Sequence, residues 1–469
     1  MLKKIYRKLA GLMEFLSNIQ LWIFTAAVGL ICGFAIIITS PPFMGSDENV
    51  HFFAVQNLMR GKMIYSVPES LVEMSKPYGS FFFSPSQKYS KELWLQTSKC
   101  SPQPNEKELV TTLAYRNIVA YLPFVAVGKV CNIFSDRYLV SLYACRVVGL
   151  LIYVLLAAAA VKIIPIGKLP LTFLALMPQT MFSASMVNSD YLTFGAVMLF
   201  AALFVRECMK EDSETLTFKS PLFWSGILLG GAKFPYPLFI FLLLFLPKKM
   251  LKSSRIALAV LILSVLVLTA FQVCSLGQMP PSLDYDPHHT QVLEEMGEEP
   301  SFTEKICQFS LRLKNTLISP EWMGFLGLSF AGFLGNLCTL VYPSILAVYV
   351  SFMIASLFVA RSDKMLHSRY SVWMLLAAAG GIFVVFLSFY LINCRYNHTV
   401  IKGMQGRYFI PAAVLIMAAL AERVNIFKHE SCRKNFIGLS LLVISAIAVA
   451  VVVTLYQRFY SSFYFDFYG

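Results

Sequence analysis

The sequence predicts an all-α polytopic membrane protein with about eleven transmembrane helices, and three observations predict it. Of 469 residues, 57% are hydrophobic and only 14% charged, with 40 Phe. Runs of about 20 apolar residues recur along the chain, the length at which a helix crosses the hydrocarbon layer. The net charge of +13 gathers in short connections between these runs, as in cytoplasmic loops, so it is not a nucleic-acid signal and no nucleic-acid partner is expected. The ten Cys are scattered without a CxxC pair, and several fall inside apolar runs, which excludes metal-cluster and redox motifs. Cys100 and Cys307 both fall in predicted outer loops, where a disulfide could join them. No internal repeat, low-complexity tract or soluble catalytic domain interrupts the pattern, so residues 1–469 read as a single membrane-embedded domain.

The basic start MLKKIYRK precedes a long apolar run without a small-residue cleavage site, so it reads as a retained signal anchor with a cytoplasmic N-terminus. The first span is Leu21 to Ile38, and Pro41 and Pro42 end it. Ser46 then suits an N-cap, with Asp47 and Glu48 in the first turn of a new helix. That helix is amphipathic. Phe52, Val55 and Met59 share a face with Glu48, whereas His51, Ala54 and Leu58 share one with Asp47. It should lie along the outer membrane surface. The first outer loop, residues 39–137, also carries YGSFFFSPSQKY, a Pro-, Ser- and aromatic-rich piece suited to an ordered surface loop.

Tyr115 to Phe134 is apolar enough to span, which leaves two topologies. In one it crosses, and Pro221 to Pro247 is a single long span. In the other it stays on the outer side, and Pro221 to Pro247 breaks into two short spans around Lys233-Phe234-Pro235. The second topology puts Lys162, Lys168, Arg206, Lys210 and Lys219 inside, and Arg137 and Lys233 outside; the first reverses all seven. The positive-inside rule selects the second, and a mid-span Lys is costly. The further spans are then about Tyr138–Val161, Leu169–Val187, Tyr191–Val205, Leu222–Ala232, Tyr236–Leu246, Ile256–Ser275, Leu340–Ala360, Tyr370–Ile392, Tyr408–Ala421 and Phe436–Tyr456. A second large outer loop, residues 277–339, holds the acidic LDYDPHHTQVLEEMGEEP and an amphipathic stretch through Trp322. The aromatic tail FYSSFYFDFYG suits an interface, and the C-terminus falls outside.

Three stretches carry a family resemblance. They are PPFMGSDENVHF with Arg60-Gly61 after it, the Asn188-Ser189-Asp190 loop after LALMPQTMFSASMV, and MQGRYFIP from Met404 to Pro411. Together they resemble the bacterial membrane family called domain of unknown function 2142. That family in turn resembles the multi-spanning, C-type-fold glycosyltransferases, which use lipid-phosphate-linked sugars and place an acidic residue just after the first span. The large outer loops after the first and seventh spans also resemble that fold. The resemblance implies an inverting enzyme of the cell membrane. It would move a sugar from a polyprenyl-phosphate donor to a cell-envelope glycan or lipid-linked acceptor on the outer face, in contact with membrane lipid.

Such a transfer needs few protein groups. A carboxylate accepts the acceptor hydroxyl's proton as the oxygen attacks the anomeric carbon, and cations stabilise the leaving phosphate. By resemblance the base is Asp47, with Glu48 as the alternative. On a helix the two point about 100° apart, so both cannot address one substrate atom. The simpler reading is that both complement the helix dipole. His51 could orient Asp47, join it on a divalent metal ion, or sit hydrogen-bonded in the interface. Asp190 is a second acidic group or a helix cap. Lys233, in GGAKFPYP, is a phosphate ligand or a snorkelling side chain. Arg407 can grip phosphate bidentately or anchor its span beside Tyr408. Arg60 and Arg146 are further cations, and Arg146, within a span, needs an acidic or phosphate partner. Asp284, Asp286, His288 and His289 resemble a metal cluster, or form an exposed acidic loop. Two rival functions remain. A transporter or flippase of a lipid-linked glycan should place charges at the bilayer midplane and often shows inverted repeats. A noncatalytic assembly factor for envelope polysaccharide would not need Asp47 and Glu48.

Overall fold

The apolar runs fold as helices of two kinds, long and broken. The computed structural model describes residues 11–62, 66–84, 86–110, 117–210, 215–252, 254–274, 302–335, 337–359, 365–394, 398–427 and 429–461. Six helices among them are long and apolar enough to cross a membrane. They are α1 (Leu21–Thr39), α6 (Tyr138–Ile163), α9 (Asp190–Met209), α11 (Arg255–Cys274), α15 (Ser368–Asn393) and α17 (Glu430–Tyr460). The protein is an all-α polytopic membrane protein, with only two short β-ribbons among the described residues.

The other five predicted spans are short or interrupted. Leu169–Val187 is two helices, α7 (Lys168–Ala175) and α8 (Pro178–Ala184). Pro178 has no N–H to give, and it holds Met177 extended at φ −61° and ψ 139°. Carbonyls beside this buried break accept side-chain hydroxyls: Tyr153 donates to Ala175 O at 2.7 Å and Tyr349 to Phe173 O at 2.6 Å. A break inside a membrane bundle is tolerated when such partners exist. Pro221 to Pro247 is likewise divided into α10 (Pro221–Gly230) and a 3₁₀ segment (Tyr236–Phe245), with Lys233 in the turn between. The remaining two are α14 (Pro343–Ser356) and α16 (Ile410–Leu420), the latter entered through a 3₁₀ turn, Gly406–Phe409.

Small residues let the helices approach. On α1, a Cβ at Gly33 would lie 2.3 Å from Leu150 of α6, and one at Gly29 would lie 3.1 Å from Val154. Trp22 sits under Lys162 at the other end of this antiparallel pair. The bundle therefore has a basic end and a site end. Lys162 and Lys168 stand at the former, and Arg206, Lys210 and Lys219 line one cavity there. Lys233 meets Asp190 at the latter, and α6 begins there after Arg137. Five of the seven charges thus stand at one end and two at the other, the division that both topologies share with opposite sides.

The first loop is folded over the site end. It contains α2 (Glu48–Met59), β1 (Ser66–Pro68), α3 (Glu69–Phe83), α4 (Lys91–Ser98), β2 (Glu108–Val110) and α5 (Ile118–Phe134), with Ser66 opposite Val110 in the ribbon. α5 packs along the first half of α6. Its Phe124 ring meets Gly149, and its Gly128 lies beside Ser141. α2 does not lie on an open surface as its amphipathic pattern suggested. Glu48, His51 and residues 52–57 are all buried, because α5 and the loop pack over the face meant for water. A last contact closes this cover. Arg458 of α17, fully buried, donates to Phe81 O at 2.7 Å, Gln87 O at 3.0 Å and Cys338 O at 3.3 Å. Cys100 and Cys307 are both free thiols, so the pairing considered from sequence is absent.

Candidate functional site

Four chain segments end together at the site end, and each brings a charge. The first follows the Pro41-Pro42 stop. Phe43 and Asp47 both adopt left-handed backbone, at φ 60° and 56°, which is uncommon outside glycine but best tolerated by Asp and Asn. Asp47, not Ser46, is therefore the N-cap of α2, and it makes no side-chain capping bond. Its carboxylate is instead 62% exposed, with Oδ2 4.0 Å from Arg407 Nη2.

Glu48 takes the opposite course. It is fully buried against Arg146, which donates from Nε at 2.8 Å and Nη2 at 2.7 Å. The backbone N–H groups of Gly45 and Val187 donate to the same carboxylate at 3.1 and 3.0 Å. Arg146 also donates to the carbonyls of Ser40 and Pro41 at 2.8 Å each. A charge pair this dry is held by being fully hydrogen-bonded. It locks the end of α1, the start of α2 and the middle of α6 together.

Asp190 opens α9. Asn188 shapes the turn before it, donating to Ser183 O at 2.9 Å and accepting the Asp190 N–H at 2.8 Å. The Asp190 side chain is only 5% exposed and lies 3.3 Å from Arg407 Nη1 and 3.8 Å from Lys233 Nζ. Lys233 is held by its own backbone N–H, which donates to Thr193 Oγ1 at 2.9 Å. Its ammonium stands 4.8 Å from the centre of the Tyr408 ring, and Tyr236 donates to the Tyr408 carbonyl.

Arg407 is delivered by a close backbone approach. The helix α13 (Pro320–Ala331) lies against Gly406 so tightly that a Cβ there would be 1.9 Å from Leu326 O and 2.3 Å from Phe330 N. The Gly406 N–H also donates to Ser329 Oγ at 2.7 Å. Arg407 is 3% exposed, and its Nη2 donates to Tyr408 OH at 3.2 Å. Its Nε has no hydrogen-bond partner, and Asp190 Oδ2, although close, accepts no well-formed hydrogen bond. A buried guanidinium ordinarily fills its five donors; this one has capacity to spare.

His51 borders the same cluster. Its Nδ1 is 2.6 Å from Tyr121 OH. Burial, reinforced by the nearby Lys233, pushes its pKa down to about 4, so the ring is neutral at neutral pH. Asp47, His51, Asp190, Lys233, Arg407 and Tyr408 thus converge, from positions spread over most of the chain. Arg60 does not join them. It pairs with Glu108 at 3.0 Å in the first loop, beside Lys62, which binds the same carboxylate. Those cations and Ser66 hold Glu108 down at about 2. Tyr121, Thr193 and Tyr236 were not singled out from sequence; only the nearness of Tyr236 to Lys233 hinted at it. Asp284, Asp286, His288 and His289 lie outside the described residues. Among the described residues no three His, Cys, Asp or Glu side chains gather as metal ligands would.

The arrangement is a polar cluster at one end of an apolar bundle. Arg407 and Asp190 are its buried members, Lys233 is partly exposed, and the Asp47 carboxylate faces solvent. The cluster can hold an anionic group against Arg407 and Lys233 while Asp47 accepts a proton beside it. A family model described as a predicted membrane protein, DUF2142, matches residues 30–416, a range that includes all three stretches singled out above. No curated protein and no solved structure matches the chain.

Proposed function

The chain belongs to the DUF2142 family of predicted membrane proteins, and from that premise we propose that it is a glycosyltransferase using a polyprenyl-phosphate sugar donor. The acceptor is a cell-envelope glycan or a lipid-linked glycan at the outer face of the cell membrane. The observation that carries this reading is Arg407: buried, poor in hydrogen bonds, and set beside Lys233 within reach of an exposed carboxylate. A phosphate oxygen would complete the guanidinium's donor set, and charge-assisted bonds of that kind are the strong ones.

In this mechanism Asp47 accepts the proton of the acceptor hydroxyl as that oxygen bonds to the anomeric carbon. The bond from the anomeric carbon to the phosphate oxygen breaks, and the electron pair leaves with the phosphate. Arg407 and Lys233 stabilise the charge that develops there. Asp190 positions both cations. Glu48 takes no part, because Arg146 and two backbone N–H groups occupy its carboxylate. The test is a transfer assay on purified protein with a panel of polyprenyl-phosphate sugars, comparing wild type with Asp47→Asn. Sugar transfer by wild type that the variant loses supports the proposal. No transfer with any donor, or equal transfer by both, overturns it.

A further inference from the structure

A cavity of about 380 Å³ lies just before Gly406 in the chain, lined by Glu321, Trp322, Phe325, Leu337, Gly403, Met404 and Gln405. The chain leaves this cavity at Gln405, is pressed onto α13 at Gly406, and then delivers Arg407 to the ion cluster. Its size is at the lower end of the range for small-molecule sites, which runs from about 300 to 1,000 Å³. Trp322 and Phe325 form an edge-to-face aromatic wall, their ring centres 5.8 Å apart. Ser319 caps α13 by accepting the Trp322 N–H, which fixes the indole's helix turn. Two turns also contribute to the lining, and both carry left-handed backbone, Leu337 at φ 66° and Gly403 at φ 79°. A left-handed Leu is costly and persists only where surrounding structure holds it, a condition that clusters at ligand sites.

We infer that this cavity binds a sugar ring of the acceptor glycan, stacked on Trp322 with its hydroxyls on Glu321 and Gln405. The lining decides among ligands. Among the described residues it contains no cation, so it does not suit the donor phosphate. It contains a carboxylate and an amide, for which a hydrocarbon chain offers no hydrogen-bond partner. A pyranose offers what both halves need, an apolar C–H face for the indole and hydroxyl donors for the carboxylate. The acceptor role rests on the proposed transfer reaction, whereas the binding itself does not.

The test is therefore a binding measurement that needs no turnover. Purified full-length protein in nanodiscs is titrated with methyl glycosides of the common hexoses and N-acetylhexosamines, and read by saturation-transfer difference NMR. Farnesyl phosphate and farnesol serve as the phosphate and chain arms. Saturable binding of at least one glycoside is expected. Trp322→Ala should weaken it at least tenfold, Trp322→Phe should keep most of it, and Glu321→Gln should weaken it several-fold. Glu321 is exposed, so its variant keeps the test valid if Trp322→Ala fails to fold. No glycoside binding, glycoside binding indifferent to both Trp322→Ala and Glu321→Gln, or farnesol binding that depends on Trp322 would each overturn the assignment. Glycoside binding without any transfer would refute the enzyme reading and leave the sugar site standing.

Discussion

Asp47 owes its exposure to one backbone angle. At φ 56° it turns out of the first helical turn that its neighbour Glu48 occupies, so adjacent carboxylates end in opposite environments. Asn tolerates that backbone as well as Asp does, so Asp47→Asn should fold normally and lose roughly 10²-fold or more in sugar transfer. Turnover at the wild-type rate would remove Asp47 from the reaction. Arg407 has a sharper comparison. If its guanidinium grips two phosphate oxygens, Arg407→Lys inserts normally and weakens donor use, and Arg407→Ala does worse. A lost charge-assisted contact costs about 1.5–3 kcal/mol, roughly ten- to hundred-fold in donor affinity. Donor-concentration curves read this directly, and an unchanged curve for Arg407→Lys would leave Arg407 an anchor only. His51 predicts a pH effect. Its folded pKa of about 4 lies below its ordinary 6.5, so the unfolded chain binds the extra proton first. Its contribution to stability is present above pH 6.5 and is lost as pH falls toward 4, at up to about 1.4 kcal/mol per pH unit. Thermal melts at pH 7 and 4.5 should differ less for His51→Gln than for wild type.

At the scale of elements, the joints between helices rest on a few buried contacts. Removing one partner of a buried ion pair leaves the other charge stranded, which costs about 3–5 kcal/mol. Glu48→Ala should therefore lower the melting temperature and the yield of folded protein, with turnover per folded molecule little changed. Lost turnover in a variant that melts normally would give Glu48 a part in the chemistry after all. Gly406→Ala meets backbone at 1.9 Å, so it must push Arg407 away from Asp190, and donor use should fall even where folding survives. These joints mark the limit of what sequence could reveal. Asp47, Asp190, Lys233 and Arg407 were legible because charges at the ends of apolar runs are expensive and stand out. The Glu48–Arg146 pairing was not, since nothing local links residues 98 positions apart. Pro178 was visible in the sequence, yet the run around it was apolar enough to read as one span. The cover over α2 was also hidden, because amphipathicity reports that two faces differ and not what each one meets.

At the scale of the whole molecule, the seven-charge grouping gives a test of orientation. Single Cys residues at 137 and 233 should react with a membrane-impermeant reagent on intact cells, in a background without native Cys. Those at 210 and 219 should react only after permeabilisation. The reverse pattern would turn the bundle over and place the charged cluster inside. The clamp at Arg458 has a different consequence, one that concerns time. Its guanidinium holds Phe81, 377 residues earlier in the chain. At about 5–20 residues per second, a ribosome needs roughly 20–75 seconds to travel from one to the other. Throughout that interval the first loop lacks its final fastening, and Asp190 and Lys233 are made while it is still unfastened. Biosynthesis thus fixes the order of events: the ribosome must deliver the last long helix before the first loop can be fastened down over the site end.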